Sequence, residues 1–315
     1  MIPIVLVTGF LGSGKTTVLK HWAQRYRDRR FLYLVNDFAS VDVDGELVRR
    51  AGPQVIALSG GSIFCHCLVT DFIRVLQQIA AGDTGLGAPP EAVIIEASGM
   101  ADPRVIHRML QETKLDAVFA VQRILALVDP GTFHKLLHTL PNIEAQVACA
   151  DTILITKVDR HTADAVQATR AAALAIQPEA SVRLVQNGET DEDLLATAPL
   201  PATTGDYAAC VDPRFHRFTL TDPLPDLAGF RVKTAACGPR LYRAKGFLKE
   251  GQRTVAVDWS SSGLHTEECQ GEPPPEPRLV CIADGPSGPD VERIWRSDTA
   301  ACRPAGRAQP SQKLK

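Results

Sequence analysis

The segment Gly9–Thr16 follows the pattern G-x-x-x-x-G-K-[ST]. Glycines in such a loop allow backbone N–H groups to curl around phosphate oxygens. Lys15 would place a cation on the β- and γ-phosphates, and Thr16 would offer its hydroxyl to Mg²⁺. The residues assigned to phosphate are Gly9, Gly12, Ser13, Gly14, Lys15 and Thr16. Because the motif follows an apolar strand and opens a helix, we expect a nucleotide site rather than an ordinary tight turn.

A second motif follows the apolar run 92–95 and consists of Glu96, Ala97, Ser98 and Gly99. A carboxylate at the end of a buried strand beside a phosphate loop can hold Mg²⁺ directly or through water. Gly99 would allow the backbone to approach the γ-phosphate. Many strands end in Glu, so this motif gains its meaning from the phosphate loop.

The third motif is Thr156, Lys157, Val158 and Asp159, a [NT]-K-x-D sequence that follows another apolar run. The Asp159 carboxylate could accept hydrogen bonds from N1–H and the exocyclic amine of guanine, whereas adenine has no such pair of donors. The Lys157 stem could cover the face of the ring. GTP is therefore the favoured nucleotide. Alternatively, Asp159 could cap the helix that begins near Thr162. Thr156 stands where such sites usually have Asn.

The elements that must position these motifs alternate between short apolar runs and helical patterns up to about residue 190. Such alternation is typical of an α/β domain with a mostly parallel sheet, here a P-loop NTPase domain. The predicted strands are 2–8, 31–36, 54–58, 92–96, 117–129, 152–156 and 182–185. The predicted helices are 16–29, 69–81, 104–112, 143–150 and 163–176.

The pattern changes after this region. We expect a GTPase domain over 1–190, a Pro/Ala/Thr linker over 191–213, a smaller α+β C-terminal domain over 214–300 and a disordered tail over 301–315. The period-two alternation at 218–220, 241–248 and 255–259 predicts strands in the second domain.

Composition excludes several classes of function. The 315 residues carry 34 Lys+Arg against 36 Asp+Glu, so no global basic field favours nucleic acid or an anionic membrane. No apolar run approaches the ~18 residues needed to cross a bilayer, and the N-terminus is unlike a signal peptide. We therefore expect a cytoplasmic protein whose eight cysteines stay reduced. Most of them are expected to be small buried hydrophobic residues.

Together, these motifs resemble those of the CobW-type family of P-loop GTPases, relatives of HypB and UreG. Gly9–Thr16, continuing through Thr17, is similar to the family's G-F-L-G-[AS]-G-K-T-T. The segment 36–45 resembles its first switch, N-E-F-G-x-x-x-[IV]-D, and 96–103 resembles E-[TS]-S-G-[LM]-A-D-P. In the second domain, 242–247 resembles the R-A-K-G-[FIL] strand. The resemblance implies that GTP binding and hydrolysis are coupled to delivery of a metal, often zinc or cobalt, to a client protein.

The family's metal motif, C-x-C-C, is altered in this chain. Ser62 and Phe64 occupy two of the three thiol positions, and Cys65 occupies the third. The chain continues with His66 and Cys67, and thiolate and imidazole are both ligands that Zn²⁺ accepts. Further candidate ligands, from the first switch, are Asp37 and Asp42. The alternative is that the metal site has decayed and that the cysteines are structural.

These observations predict a Mg²⁺-dependent GTPase whose loops 36–45 and 98–102 order around the γ-phosphate and relax after hydrolysis. The residues expected to matter most for hydrolysis are Lys15, Thr16 and Glu96. No water-orienting Gln or arginine finger is evident, so we expect slow turnover that a client, such as a metalloenzyme, or a homodimer would stimulate. The alternatives are a GTP-controlled binding switch without metal cargo and an ATP-dependent P-loop enzyme.

Overall fold

The computed structural model describes residues 1–37, 54–59, 62–65, 68–84, 86–207, 215–221, 223–251, 253–260, 263–268 and 278–297. The chain divides into two units. Unit 1 comprises Met1–Asp212 with Asp258–Leu264, and unit 2 comprises Pro213–Val257 with His265–Lys315. Among the described residues, no helix is long and apolar enough to span a membrane.

Unit 1 is built on a seven-stranded sheet in the order β3-β2-β4-β1-β5-β6-β7, with every neighbouring pair parallel. The strands are β1 (Ile2–Gly9), β2 (Phe31–Asp37), β3 (Gln54–Ser59), β4 (Ala92–Glu96), β5 (Phe119–Val128), β6 (Thr152–Ile155) and β7 (Ser181–Leu184). Every residue of β4 is buried, as expected for a parallel strand that is covered on both faces. Since the carboxyl ends of parallel strands meet at one edge, all three sequence motifs lie along that edge.

The described helices of unit 1 are α1 (Lys15–Arg25), α2 (Val69–Ala80), α3 (Ile106–Glu112), α4 (Phe133–Leu137), α5 (Pro141–Ala148) and α6 (Ala163–Ile176). Helix α1 buries Val18, Leu19 and Trp22 in the core beside β1 and β2. Pro141 opens α5, where its missing N–H costs no hydrogen bond. The predicted α/β fold class is confirmed.

Residues 191–207, part of the segment predicted as a linker over 191–213, belong to unit 1 and pack on its core. Leu194 is fully buried in the same core as Trp22. The Tyr207 hydroxyl donates to the Glu112 carboxylate of α3 at 3.0 Å. The apolar residues of 190–207 follow neither the helical nor the strand period, so the sequence did not predict this packing.

Unit 2 contains most of a five-stranded sheet in the order β11-β10-β9-β12-β8, with β12 antiparallel to both β8 and β9. The ends of two of its strands, residues 258–260 and 263–264, are assigned to unit 1. Its elements are β8 (Phe215–Leu220), α7 (Leu227–Cys237), β9 (Leu241–Glu250), β10 (Arg253–Ser260), β11 (Gly263–Glu268), β12 (Leu279–Asp284) and α8 (Gly288–Arg296). The rings of Phe230 on α7 and Trp295 on α8 meet at 5.4 Å. The Lys233 ammonium is buried and donates to the carbonyls of Ile294 and Ser297 at the end of α8.

Candidate nucleotide site and the neighbouring cysteine loop

The phosphate loop joins β1 to α1 through three glycines with positive φ, Gly9 at 137°, Gly12 at 77° and Gly14 at 95°. Residues with a Cβ rarely adopt these angles, and a Cβ at Gly9 would also overlap the Leu127 carbonyl oxygen. The loop therefore needs these glycines for its conformation. Its amides lie at the N-terminus of α1, where the helix dipole favours an anion.

Lys15 lies within this loop and is only 4% exposed. Its ammonium donates to the Gly9 carbonyl at 2.8 Å and to the Phe10 carbonyl at 3.2 Å. The cation is thus held against the same loop whose amides would cradle phosphate oxygens.

Thr16 and Glu96 come together from α1 and from the end of β4. The Thr16 hydroxyl donates to Glu96 Oε1 at 3.3 Å, and both residues are buried. A hydroxyl and a carboxylate are oxygen donors of the kind that Mg²⁺ prefers, and nucleotide phosphates supply further oxygens in such sites. The pair predicted from sequence therefore fits a magnesium ion beside the phosphate loop.

The segment 97–102, which we call the β4 loop, packs tightly against the phosphate loop. A Cβ on Gly99 would lie 2.5 Å from the Leu11 backbone nitrogen, so only glycine fits without a shift. From α5, the buried side-chain amide of Gln146 donates to the Gly99 carbonyl at 3.1 Å and to the Ala101 carbonyl at 3.0 Å. The β4 loop is held on both sides.

Thr156 follows β6 and contacts the phosphate loop directly. Its buried hydroxyl lies 2.7 Å from the Ser13 carbonyl oxygen and 3.2 Å from that of Val128. The threonine found in place of the usual asparagine therefore ties β6 to the phosphate loop.

Asp159 lies in the 3₁₀ turn Val158–Arg160 with a quarter of its side chain exposed, and its carboxylate is 3.8 Å from Arg160. The alternative in which Asp159 caps the next helix is wrong. Thr162 is the N-cap of α6, and its hydroxyl accepts from the Ala165 amide at 3.3 Å. The position after Asp159 is a short turn, so the helix begins too late for Asp159 to reach its amides.

Sequence reasoning missed Asp129, which follows β5. Its buried carboxylate contacts the Lys157 ammonium at 2.8 Å and His161 Nε2 at 2.9 Å. These contacts fix the Lys157 side chain, whose backbone has a φ of 55°. The only sequence signal was a carboxylate at a strand end, which is common.

The loop after β7 was also missed. A Cβ on Gly188 would lie 2.7 Å from Thr17 Cγ2 and 3.0 Å from His21 Cδ2, which places this loop against α1 beside the phosphate loop. The Asn187-Gly188 dipeptide is a strong turn signal that could have located it.

The segment 62–65, which we call the cysteine loop, follows β3 and leads into α2. Cys65 is 3% exposed, and the Phe64 ring packs edge-on against Phe72 at 6.1 Å. The side chains of the other proposed metal ligands, His66, Cys67, Asp37 and Asp42, lie outside the described residues. In the described part of the chain, no three His, Cys, Asp or Glu side chains are placed to hold a metal ion.

The expectation that all cysteines stay reduced is wrong for Cys65, which is disulfide-bonded. That expectation followed from the redox state of a compartment; a disulfide needs two thiols in bonding geometry together with an oxidant, and the sequence does not show which thiols meet. A sulfur in a disulfide is not the thiolate that binds metal. Three other cysteines, Cys149, Cys237 and Cys281, are thiols outside any disulfide and are buried, as expected.

The sequence of this chain is similar to those of several known proteins. A sequence model described as "CobW/HypB/UreG, nucleotide-binding domain" matches residues 3–183. The zinc chaperone YjiA of Escherichia coli is 29% identical over 223 residues, 68% of this chain and 67% of that protein. The zinc chaperone YeiR of the same organism is 26% identical over 310 residues, 88% of this chain and 92% of that protein.

A third relative, the zinc chaperone CobW of Pseudomonas aeruginosa, is 27% identical over 237 residues. That alignment covers 65% of this chain and 60% of the relative, so the chain spans about three fifths of it.

Proposed function

Because this chain belongs to the CobW/HypB/UreG family, we propose that it is a Mg²⁺-dependent GTPase whose nucleotide state controls delivery of zinc or a similar divalent metal to a client protein. The observation that carries the hydrolytic part is the contact between Thr16 and Glu96 beside the Lys15 ammonium. It brings the oxygen donors for a cation and the charge for phosphate to one buried place.

Hydrolysis at this site needs positioning and charge neutralisation more than a strong base. Water attacks the γ-phosphorus as the bond to the β,γ-bridging oxygen breaks, which yields GDP and inorganic phosphate. Lys15 and the amides of the phosphate loop stabilise the charge on the phosphate oxygens. Thr16 and Glu96 would hold Mg²⁺, which when bound would neutralise part of the charge on the phosphate oxygens. Asp159 reads guanine, with Lys157 fixed by Asp129.

The metal part of the proposal rests on the relatives, which are named zinc chaperones, and on the ligand types in the cysteine loop. Cys65, His66 and Cys67 are the proposed ligands, with Asp37 and Asp42 from the first switch. Because Cys65 is disulfide-bonded, metal loading requires prior reduction. A client metalloenzyme, a homodimer and a cytoplasmic location stay predictions.

One observation favours a second candidate, a GTP-controlled binding switch without metal cargo. Ser62 and Phe64 stand at two thiol positions of the family motif, and Phe64 is buried against Phe72 instead of facing a metal.

The nucleotide part is tested by competition between GTP and ATP and by hydrolysis assays on the wild type and Lys15→Ala. We expect GTP to win and Lys15→Ala to lose affinity, because the loop loses its only side-chain cation. ATP binding as tight as that of GTP would refute the proposed role of Asp159 and would favour the alternative of an ATP-dependent P-loop enzyme.

The metal part is tested by zinc titration of protein reduced with a phosphine, in the presence of GDP or of a non-hydrolysable GTP analogue. The double variant Cys65→Ser, Cys67→Ser should lose tight zinc binding, while the matched double variant Cys237→Ser, Cys281→Ser should keep it. Zinc binding that survives loss of Cys65 and Cys67 would move the site elsewhere, and no zinc binding by the wild type would favour the switch.

A further inference from the structure

The side chain of Asn36 joins two loops that belong to different parts of the proposed function. It lies at the carboxyl end of β2 and is 3% exposed. Its Oδ1 accepts from the Ile63 amide at 3.0 Å and from the Ser98 amide at 3.2 Å. Its Nδ2 donates to the Leu58 carbonyl at 3.0 Å. One buried carboxamide thus contacts β3, the cysteine loop and the β4 loop.

The position of β2 in the sheet explains how this is achieved. β2 lies between β3 and β4, so a side chain at its end faces the loops that leave both neighbours. The orientation of the amide follows from its partners, because two backbone N–H groups require an acceptor and a carbonyl requires a donor. Asparagine supplies both on the shortest side chain that carries an amide.

On one side, the contact reaches the β4 loop, which is expected to order around the γ-phosphate. Ser98 lies between Glu96 of the proposed magnesium site and Gly99, which packs against the Leu11 backbone of the phosphate loop. A change in the position of the β4 loop with nucleotide state therefore moves the Ser98 amide relative to Asn36.

On the other side, the contact reaches the proposed metal ligand. Ile63 is two residues before Cys65, and the Cys65 amide donates to the Ser62 carbonyl at 3.0 Å, which closes a tight turn. The Val69 amide at the start of α2 donates to the Cys65 carbonyl at 3.0 Å. The Ile63 amide therefore belongs to the same hydrogen-bonded turn as Cys65.

We propose that Asn36 is the positioning residue through which the nucleotide state of the β4 loop sets the geometry of the cysteine loop. This inference rests on the proposed function. One oxygen, Asn36 Oδ1, accepts from both amides. Displacement of Ser98 therefore has two possible results: the buried hydrogen bond to Ser98 breaks, or the Asn36 carboxamide follows Ser98 and moves Ile63 as well. Buried amides keep their partners when they can, which favours the second outcome.

The test uses the full chain, reduced, and measures the zinc Kd with GDP and with a non-hydrolysable GTP analogue. The ratio of the two values is the coupling factor, and by linkage zinc must change analogue affinity over GDP affinity by the same factor. In Asn36→Ala we expect the coupling factor to fall to one. This change should be larger than the change in the zinc Kd measured with either nucleotide alone. Asn36→Asp keeps an acceptor oxygen for both amides but loses the donor to the Leu58 carbonyl, so it should restore part of the coupling.

The matched control is Asn142→Ala. Asn142, on α5, is also a buried amide that contacts the β4 loop, and it donates to the Met100 carbonyl at 3.4 Å. This variant loosens the β4 loop without touching Ile63, so it should keep the wild-type coupling factor. Thermal unfolding of all three variants identifies any that fail to fold. If Asn36→Ala fails to fold, Asn36→Asp takes its place in the comparison.

A second readout does not depend on zinc. Hydrogen exchange of the Ile63 amide should differ between the GDP and analogue states in the wild type, and this difference should vanish in Asn36→Ala. Coupling that survives in Asn36→Ala, or that is lost equally in Asn142→Ala, overturns the inference while the proposed function stands. A wild type with neither nucleotide-dependent zinc binding nor nucleotide-dependent exchange overturns both.

Discussion

Replacement of Thr156 with valine would show how far the phosphate loop depends on a single hydroxyl. That hydroxyl lies 2.7 Å from the Ser13 carbonyl oxygen, and the side chain is 2% exposed. Valine has the shape of threonine without the hydroxyl, so the change opens no cavity. The Ser13 carbonyl, in the middle of the phosphate loop, loses its donor.

The magnitude follows from the burial of this bond. An unsatisfied buried carbonyl costs about 1–3 kcal/mol. The bond joins β6 to the phosphate loop, so we expect the cost to appear mainly as lost nucleotide affinity. At about 1.4 kcal/mol per tenfold, the Kd for GDP should rise by about 5- to 140-fold.

The assay is a titration with a fluorescent GDP derivative, accompanied by thermal unfolding without nucleotide. Thr156→Ser keeps the hydroxyl and serves as the control, with an affinity expected close to that of the wild type. An unchanged GDP affinity in Thr156→Val would refute the reasoning, and so would an equal loss in Thr156→Ser.

Three further predictions concern other parts of unit 1. Gly99→Ala places a Cβ 2.5 Å from the Leu11 nitrogen. Because overpacking costs about 1–3 kcal/mol, single-turnover GTP hydrolysis should slow at least about 5-fold. Turnover at the wild-type rate would contradict the packing argument. Asp159→Asn replaces an acceptor carboxylate with an amide that can also donate. Competition assays should then show weaker GTP binding and tighter binding of xanthosine triphosphate, whose C2 carbonyl can accept from that amide. An unchanged nucleotide preference would exclude Asp159 from base recognition. Burial raises the pKa of Cys149 to about 12, so at pH 8 mass spectrometry should find it alkylated by iodoacetamide only after unfolding, and labelling in the native state would disprove its burial.

The sequence predicted those parts of the site that are local in the chain. Gly9, Lys15 and Thr16 belong to one strand, turn and helix, and their pattern carries its own geometry. The end of β4 at Glu96 was equally clear, because a fully apolar run stops there. The fold class and the family are confirmed for the same reason, since both depend on motifs with fixed spacing.

The parts that could not be predicted depend on strand order. The contacts of Asn36 with Ile63 and Ser98, and of Asp129 with Lys157, exist because particular strands are neighbours, and chain order does not specify neighbours. In unit 2, helix α7 and strand β11 were missed. Helix α7 carries Gly229 in its first turn, and most of β11 is exposed, so neither shows strong periodicity.

The docking of residues 190–207 bears on how far the chain can be shortened before unit 1 loses its stability. The Arg123 guanidinium, 2% exposed, donates to Glu192 Oε1 and to the Asp193 carbonyl, both at 2.7 Å. A protein ending at residue 190 would leave that buried cation with Asp151 as its remaining acidic partner and would uncover the cavity that Leu194 fills. Loss of a buried leucine alone costs about 2–5 kcal/mol, a large share of the ~5–15 kcal/mol that stabilises a domain. We therefore predict that a stable truncated protein must include the residues up to 207, well past the last strand of the sheet.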